Sequence, residues 1–388
     1  MDNFSSSTRM NAVQPPIIPV IGELIRTHPG TVSLGQGVSW YGPPESARVR
    51  LAHFFDEPSH HKYGPVQGIL PLLNLIGQKL ADENGIQLQG RKVVVTAGAN
   101  MGFLNALFAI TDPGDEVILP LPYYFNQEMA IRMLNCKPVL VPTDEDFRLQ
   151  PEAIRSAITE RTRAVVTISP NNPSGAVYAE SDLRNVNAIC KEAGIYHISD
   201  EAYENFIYGD ASHFSPSSIP NSSQHTISLF SFSKAYGFAS WRIGYMVIPE
   251  AIYPAVLKAQ DTNLICPALV SQHAAVGALE AGSGYCREKL KTTAKVRRMM
   301  LDELQAVSHF CHIPPADGAF YILLKVATEL DSLAVAERLI QNHGVAVIPG
   351  IAFGLDQGCY LRIAYGALDE ETATEGLNRL LAGLNALI

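Results

Sequence analysis

Short runs of apolar, often β-branched residues recur through the middle of this sequence, and stretches with helical periodicity separate several of them. The runs are Val93–Thr96, Glu116–Leu119, Val139–Val141, Ala164–Ile168, Ile195–Ile198, Thr226–Phe230 and Ile243–Val247. Most of them are continuously apolar and do not alternate with polar residues, which is typical of strands that are covered on both faces. The pattern therefore predicts an α/β fold with a mostly parallel, doubly wound sheet.

The last part of the chain has a different pattern. Long helices follow Pro249, and the remainder combines helices near 331–343 and 368–387 with further strand candidates. These candidates are Ala319–Leu324, Val345–Ile348 and Tyr360–Ile363. We predict a large cofactor-binding domain over residues 46–280, and a smaller α+β domain that combines residues 1–45 with 281–388.

Charge and cysteine content exclude several classes of function. The chain has 29 Lys and Arg against 38 Asp and Glu, a net charge of −9, and no basic run, so a nucleic-acid partner is not expected. The six cysteines form no C-x-x-C pair, which indicates thiols in a reducing compartment and no structural zinc. No stretch approaches the ~18 apolar residues of a membrane span, and no secretory signal pattern is present. We expect a soluble, cytoplasmic protein without a metal site or a membrane contact.

Polar side chains follow three of the predicted strands at the point where each strand ends. They lie in the segments Asn171–Gly175, Asp200–Tyr203 and Ser231–Lys234. Ligands of open α/β sheets bind beyond the carboxyl ends of the strands. An amide, a carboxylate with a phenol, and an amine are therefore predicted to meet at one edge of the sheet.

Lys234 has apolar neighbours, among them Phe232 and Tyr236. Desolvation in such a setting would lower the pKa of its ammonium group toward neutrality, and an amine of this kind forms Schiff bases. Taken singly, the residues have ordinary explanations as well. Lys234 could be a surface lysine, and Asp200 could be the N-cap of a helix.

Taken together, these residues resemble those of the pyridoxal-phosphate enzymes of fold type I, specifically the class I and II aminotransferases. The most specific segment is Ser231-Phe-Ser-Lys234-Ala-Tyr-Gly-Phe-Ala-Ser-Trp-Arg242, supported by Asn172-Pro-Ser-Gly and Asp200-Glu-Ala-Tyr203. The resemblance extends from Gly37 to Arg362. It implies a ping-pong transaminase that moves the amino group of an L-amino acid to a 2-oxo acid with pyridoxal 5'-phosphate as cofactor.

The resemblance implies a role for each catalytic residue. Lys234 would carry the cofactor on its amine and move the proton at the substrate Cα. Asp200 would pair with the pyridine nitrogen and keep it protonated. Tyr203 and Asn172 would bind the phenolic oxygen of the ring, and Asn172 would also face the substrate. Singly, Tyr203 could be a core tyrosine and Asn172 a turn residue.

For the cofactor phosphate, the resemblance implies Arg242 as the cationic partner and Ser231 and Ser233 as hydroxyl donors. Ala99 and Asn100 would supply backbone amides at the start of a helix that follows a glycine turn, an arrangement that suits an anion.

Two tyrosines are further implied as cofactor contacts. Tyr124 would stack on the ring, although a tyrosine after a strand is more often a packing residue. Tyr63 would reach the phosphate of the neighbouring subunit, which implies a homodimer with shared active sites. The alternative for Tyr63 is an ordinary turn residue.

For the substrate, the resemblance implies that Arg362 binds the α-carboxylate and that the main chain of Gly37 approaches the same group. Trp40 is a candidate for the side-chain pocket, and it and Tyr41 depart from the acidic-aromatic pair that commonly follows this glycine. No arginine occurs between Arg242 and Arg287, where members specific for dicarboxylates normally have a second carboxylate-binding arginine. An aspartate-specific role is therefore not expected, and Trp40, Tyr41 and Tyr124 indicate an aromatic or large apolar substrate.

Two alternatives remain on the same scaffold. One is a pyridoxal-phosphate-dependent C–S β-lyase or a related elimination enzyme, which would use the same residues. The other is a regulator that carries an aminotransferase-like domain without catalysis. Such regulators have a basic helix-turn-helix domain ahead of the fold, for which the N-terminal segment is expected to be too short.

Overall fold

The computed structural model of the chain describes residues 6–387. Its α-helices are α1 (Thr8–Asn11), α2 (Ile17–Thr27), α3 (Glu45–Phe54), α4 (Leu70–Asn84), α5 (Ala99–Ile110), α6 (Phe125–Met133), α7 (Pro151–Ser156), α8 (Glu180–Ala193), α9 (Phe232–Ala235), α10 (Tyr253–Leu264), α11 (Leu269–Leu304), α12 (Ser332–His343) and α13 (Glu370–Leu387). Its strands are β1 (Val32–Ser33), β2 (Arg91–Thr96), β3 (Glu116–Pro120), β4 (Lys137–Val141), β5 (Thr162–Ile168), β6 (Tyr196–Asp200), β7 (Thr226–Ser231), β8 (Gly244–Pro249), β9 (Cys311–His312), β10 (Tyr321–Val326), β11 (Val345–Ala346), β12 (Ile348–Pro349) and β13 (Cys359–Ala364).

The seven apolar runs form one seven-stranded sheet in the order β2-β8-β7-β6-β5-β3-β4. Strand β8 is antiparallel to both of its neighbours, and all other pairs are parallel. Successive residues of a strand point to opposite faces, so Val94 and Val95 of β2 belong to two different hydrophobic clusters. Helices cover both faces, and the prediction of a mostly parallel α/β sheet is confirmed.

The C-terminal part builds two smaller sheets. Strands β12, β13, β10 and β9 form an antiparallel sheet, and β1 pairs with β11 in parallel. The predicted strand Val345–Ile348 is two strands in the structure, because the chain changes partner at Val347: β11 pairs with β1, whereas β12 pairs with β13. Ile21 of α2 and Leu34 pack into the core of this part, together with α12 and α13.

Helix α11 links the two parts of the chain. It is interrupted at Gly282, whose φ of 68° is unfavourable for other residues, and this explains the kink. The division at residues 45/46 and 280/281 stays a prediction, and residues 1–5 and 388, which it assigns to the small domain, lie outside the described residues.

Three further features of the structure concern membrane-spanning helices, metal ligands and cysteines. Within residues 6–387 no helix has the length and apolar character needed to cross a membrane. The same residues contain no cluster of three or more His, Cys, Asp and Glu that could bind a metal ion. Each of the six cysteines is a free thiol, and all but Cys266 are buried.

Candidate active site

A cavity of about 410 Å³ opens at the carboxyl ends of the parallel strands. The register of β5, β6 and β7 places Ile168 beside Asp200, and Asp200 beside Leu229, so these strands end together. The cavity is lined by twelve of the residues singled out from the sequence: Gly37, Ala99, Asn100, Tyr124, Asn172, Asp200, Tyr203, Ser231, Ser233, Lys234, Arg242 and Arg362. The fold therefore brings together residues that are up to 325 positions apart, from 37 to 362.

Lys234 lies on the short helix α9, directly after β7. Ser231 caps this helix, its Oγ accepting a hydrogen bond from the Ser233 amide at 3.1 Å. The Lys234 ammonium donates to the Gly37 carbonyl. Burial, with the positive charges of Arg362 and Arg242, lowers the pKa of Lys234 to about 8. A substantial fraction of neutral amine is therefore present near physiological pH, as a nucleophilic or basic lysine requires.

Asp200 ends β6 and is buried. Its Oδ2 accepts from Gln127 Nε2 at 2.8 Å, and its Oδ1 accepts from the Ala202 amide at 3.2 Å. Burial is the main cause that raises the pKa of Asp200 to about 6, and the nearby charge of Glu201 adds to it. No α-helix begins directly after Asp200, where the described chain continues in turns, so the N-cap explanation is wrong. Gln127, on α6, was missed by the sequence analysis.

Asn172 and Arg362 meet across the cavity. Arg362 Nη1 donates to Asn172 Oδ1 at 2.9 Å, and Arg362 Nη2 donates to the Gly35 carbonyl at 2.9 Å. The guanidinium is 3% exposed and forms no ion pair with any residue of the 6–387 range, and its buried Nε has no hydrogen-bond partner there. A buried arginine without a carboxylate partner suits an anionic ligand.

The start of α5 and Arg242 form a second positive region. Gly98 precedes α5 with a φ of 82°, and a Cβ at this position would lie 2.6 Å from Arg242 Nη2. Glycine is therefore needed for the guanidinium to approach the helix N-terminus so closely. Free amides at a helix start, a cation and the hydroxyl of Ser231 make this region suitable for a phosphate.

Two predicted site residues do not line the cavity. Tyr63 is 81% exposed. Trp40 is 42% exposed, and its ring packs edge-on against Tyr41 and lies 5.2 Å from the Lys289 ammonium. Tyr41 is instead buried, and its hydroxyl donates to the Lys234 carbonyl at 3.1 Å.

The N-terminal helix α2 supplies a wall that sequence reasoning missed. Ile18, Ile21, Gly22 and Ile25 line the cavity. Their spacing of i, i+3, i+4 and i+7 is that of one helix face, so this signal was readable in the sequence. Tyr321, whose hydroxyl lies 2.7 Å from that of Tyr203, had no comparable local signal.

The fold and this cavity define an enzyme that binds small anionic molecules beside a buried, reactive lysine amine. Comparison with known proteins is specific. The family Aminotransferase class I and II matches residues 29–380. An aromatic aminotransferase of Arabidopsis thaliana is 33% identical over 98% of this chain and 97% of its own length. A probable aspartate/prephenate aminotransferase of Aquifex aeolicus is 37% identical over 84% of each chain.

A solved structure of an aminotransferase has the same fold as this chain. Thermus thermophilus aspartate aminotransferase with maleate has 31% sequence identity, covers 98% of this chain and 100% of its own, and superposes with a TM-score of 0.90. This chain belongs to the class I and II aminotransferases. It is a transaminase that acts on amino acids.

Proposed function

We propose that this transaminase uses pyridoxal 5'-phosphate, carried on Lys234, and that it prefers L-amino acids with aromatic or large apolar side chains as amino donors. Membership of the family implies the cofactor. The donor set of the cavity supports it. Arg242, the amides at the start of α5 and Ser231 suit the phosphate, and Ser233 lies close by.

The remaining residues suit the ring of the cofactor. Asp200 is a buried carboxylate whose pKa of about 6 falls when a cation binds beside it, so it would be ionised opposite a protonated pyridine nitrogen. Gln127 Nε2 donates to Asp200 Oδ2 and so orients this carboxylate. Tyr203 and Asn172 would donate to the phenolic oxygen, and Tyr124 would stack on the ring.

When bound, pyridoxal phosphate supplies an electron sink that stabilises the negative charge developing at the substrate Cα. The amine of Lys234, partly neutral because of its lowered pKa, would take the proton from this carbon and return it. Arg362 would fix the α-carboxylate through two parallel hydrogen bonds, so that the Cα–H bond faces Lys234. Gly37, whose carbonyl already accepts from Lys234, would border the same carboxylate.

The preference for apolar side chains depends on one observation, the set of cations in the cavity. Within residues 6–387 the lysines and arginines that line it are Lys234, Arg242 and Arg362, and each already has a role. None of these remains for a second substrate carboxylate. The adjoining wall is apolar, formed by the cavity face of α2 and by Phe125. Relatives of similar identity are named for aspartate as well as for aromatic substrates, so their names do not decide between the two.

The elimination alternative is not favoured, because the relatives and solved structures are aminotransferases.

We further propose a cytoplasmic homodimer with shared sites. Tyr63, Ile265 and Val270 are exposed, and the Gly64 amide donates to Cys266 Sγ at 3.3 Å, so the Tyr63 loop lies beside these apolar residues. An exposed apolar patch of this kind is typical of a subunit interface.

A panel of amino donors tests the proposal. The holoenzyme is mixed with phenylalanine, tyrosine, tryptophan, methionine, aspartate or glutamate, and the loss of the visible cofactor band and the new 2-oxo acid are measured. We expect kcat/KM for phenylalanine to exceed that for aspartate by at least about 10-fold, since an unpaired carboxylate in an apolar pocket is costly. A preference for aspartate would contradict the proposed substrate class. Formation of pyruvate and ammonia from cysteine conjugates, without a new amino acid, would favour the lyase.

A further inference from the structure

Two buried tyrosine hydroxyls meet at the wall of the cavity. The hydroxyl oxygens of Tyr203 and Tyr321 are 2.7 Å apart, and the residues are 5% and 1% exposed. Burial raises the pKa of Tyr321 to about 12 and places that of Tyr203 well above its usual value of 10.0. Both groups are therefore neutral phenols at physiological pH, and each carries one proton.

Only one of the two protons can lie in the hydrogen bond between the oxygens, so it matters which hydroxyl donates. If Tyr203 donates to Tyr321, the Tyr203 proton is not available to a ligand. If Tyr321 donates to Tyr203, the Tyr203 proton is free to point into the cavity. Only the second arrangement is compatible with Tyr203 as a donor to the phenolic oxygen of the cofactor.

We propose that Tyr321 is a positioning residue, whose hydroxyl donates to the Tyr203 oxygen and thereby directs the Tyr203 proton toward the cofactor ring. This inference rests on the proposed function, in which Tyr203 binds the phenolic oxygen. Tyr321 would act on the cofactor indirectly, because its hydroxyl contacts the hydroxyl of Tyr203.

The surroundings of Tyr321 fix its hydroxyl in this place. Strand β10 pairs with β13, so Tyr321 lies opposite Ala364, two positions from Arg362. The Arg362 guanidinium lies over the Tyr321 ring at 4.6 Å from its centre. A Cβ at Gly37 would lie 2.5 Å from the Tyr321 hydroxyl, so the backbone of residue 37 closes the remaining side. The ring therefore has little freedom to turn away from Tyr203.

The hydrogen bond from Tyr321 has a measurable consequence. A hydroxyl that accepts a hydrogen bond becomes a stronger donor itself. A stronger hydrogen bond from Tyr203 withdraws electron density from the phenolic oxygen of the cofactor. The nitrogen through which Lys234 would be joined to the cofactor then binds its proton less tightly. Tyr321 should therefore lower the pH midpoint at which the visible absorption band of the holoenzyme changes.

The test is a pH titration of that band in purified holoenzyme. Tyr321→Phe keeps the ring beneath Arg362 and removes only the hydroxyl. We expect its midpoint to rise by about half to one pH unit, the shift that corresponds to loss of one neutral hydrogen bond. The matched control is Tyr208→Phe, because Tyr208 belongs to the same hydrophobic cluster and donates a 2.7 Å hydrogen bond to the Ala319 carbonyl away from the cavity. Its midpoint should equal that of wild type.

A double variant separates a role through Tyr203 from a direct effect. In a Tyr203→Phe background, Tyr321→Phe should leave the midpoint unchanged. An equal shift in both backgrounds would overturn the inference, as would an unchanged midpoint in the single variant.

A second substitution covers the case in which Tyr321→Phe does not fold. Replacement of Tyr321 by 3-fluorotyrosine, which keeps the shape and strengthens the donor, should lower the midpoint, and a rise would overturn the inference. If wild-type protein shows no visible band with pyridoxal phosphate, the proposed function fails and the inference with it. A normal wild-type band with no response at Tyr321 overturns the inference alone.

Discussion

Arg362 Nη1 donates to Asn172 Oδ1 at 2.9 Å, which joins strand β13 to the segment that follows β5. This contact ties the small antiparallel sheet to the carboxyl edge of the large sheet. It also aims the guanidinium, because the other terminal nitrogen donates to the Gly35 carbonyl. The proposed site for the substrate carboxylate is therefore built from both parts of the chain.

Arg362→Lys should lower kcat/KM for phenylalanine by about 10- to 100-fold, because lysine cannot form the two parallel hydrogen bonds of a guanidinium and a charge-assisted hydrogen bond contributes about 1.5 to 3 kcal/mol. Phenethylamine, which lacks the carboxylate, is the control donor. Its rate should change little, so the ratio of the two donors should fall in the variant. An unchanged ratio would show that Arg362 does not bind this carboxylate.

Gly22→Leu should change donor selectivity. Gly22 lines the cavity, and a Cβ added there would have no atom within 4 Å, so a larger side chain would extend into open space. We expect kcat/KM for tryptophan to fall by about 10-fold or more relative to alanine, the scale of a misfit of a few methylenes. Val20→Leu, at an exposed position of α2 that does not line the cavity, is the control. Equal losses for tryptophan and alanine would place the substrate side chain elsewhere.

The buried ammonium of Lys234 should cost stability in the cofactor-free protein. Its pKa is about 8 when folded, against 10.5 for the ordinary value, so the unfolded chain binds the proton more tightly. Stability from this group therefore rises as pH increases from about 8 to 10.5, and the penalty is full below pH 8.

Lys234→Met should accordingly raise the free energy of unfolding at pH 7 by about 1 to 3 kcal/mol, with the gain decreasing by pH 10. Urea unfolding of the cofactor-free protein at the two pH values measures it. Lys191→Met, at an exposed position, should show no such pH-dependent gain. A gain that grows with pH would have the wrong sign for a buried ammonium.

A mixed dimer tests the assembly. Chains with Tyr63→Phe and chains with Lys234→Ala should each be impaired, and after subunit exchange one site of each mixed dimer carries both changes and the other carries neither. Activity equivalent to about one wild-type site should therefore return. If subunits exchange and no site regains wild-type cofactor affinity, Tyr63 does not act across a subunit interface.

The sequence predicted the large sheet because its strands are apolar on both faces, as Val94 and Val95 illustrate with their separate hydrophobic clusters. It predicted the polar edge because Asp200 and Lys234 follow apolar strands directly. Gln127 and Tyr321 were not predictable in the same way, because their roles depend on contacts with Asp200 and Tyr203 at separations of 73 and 118 residues. The split of Val345–Ile348 was missed because a change of strand partner leaves no local pattern.

The attachment point of the cofactor tests the central claim most directly. Purified protein with pyridoxal phosphate is reduced with borohydride and digested, and the peptide that carries the reduced cofactor is identified by mass spectrometry. We expect the modification on Lys234, in the peptide that also contains Ser231 and Ser233, and its loss in Lys234→Ala protein. Modification of a different lysine in wild-type protein, or none at saturating cofactor, would contradict the account.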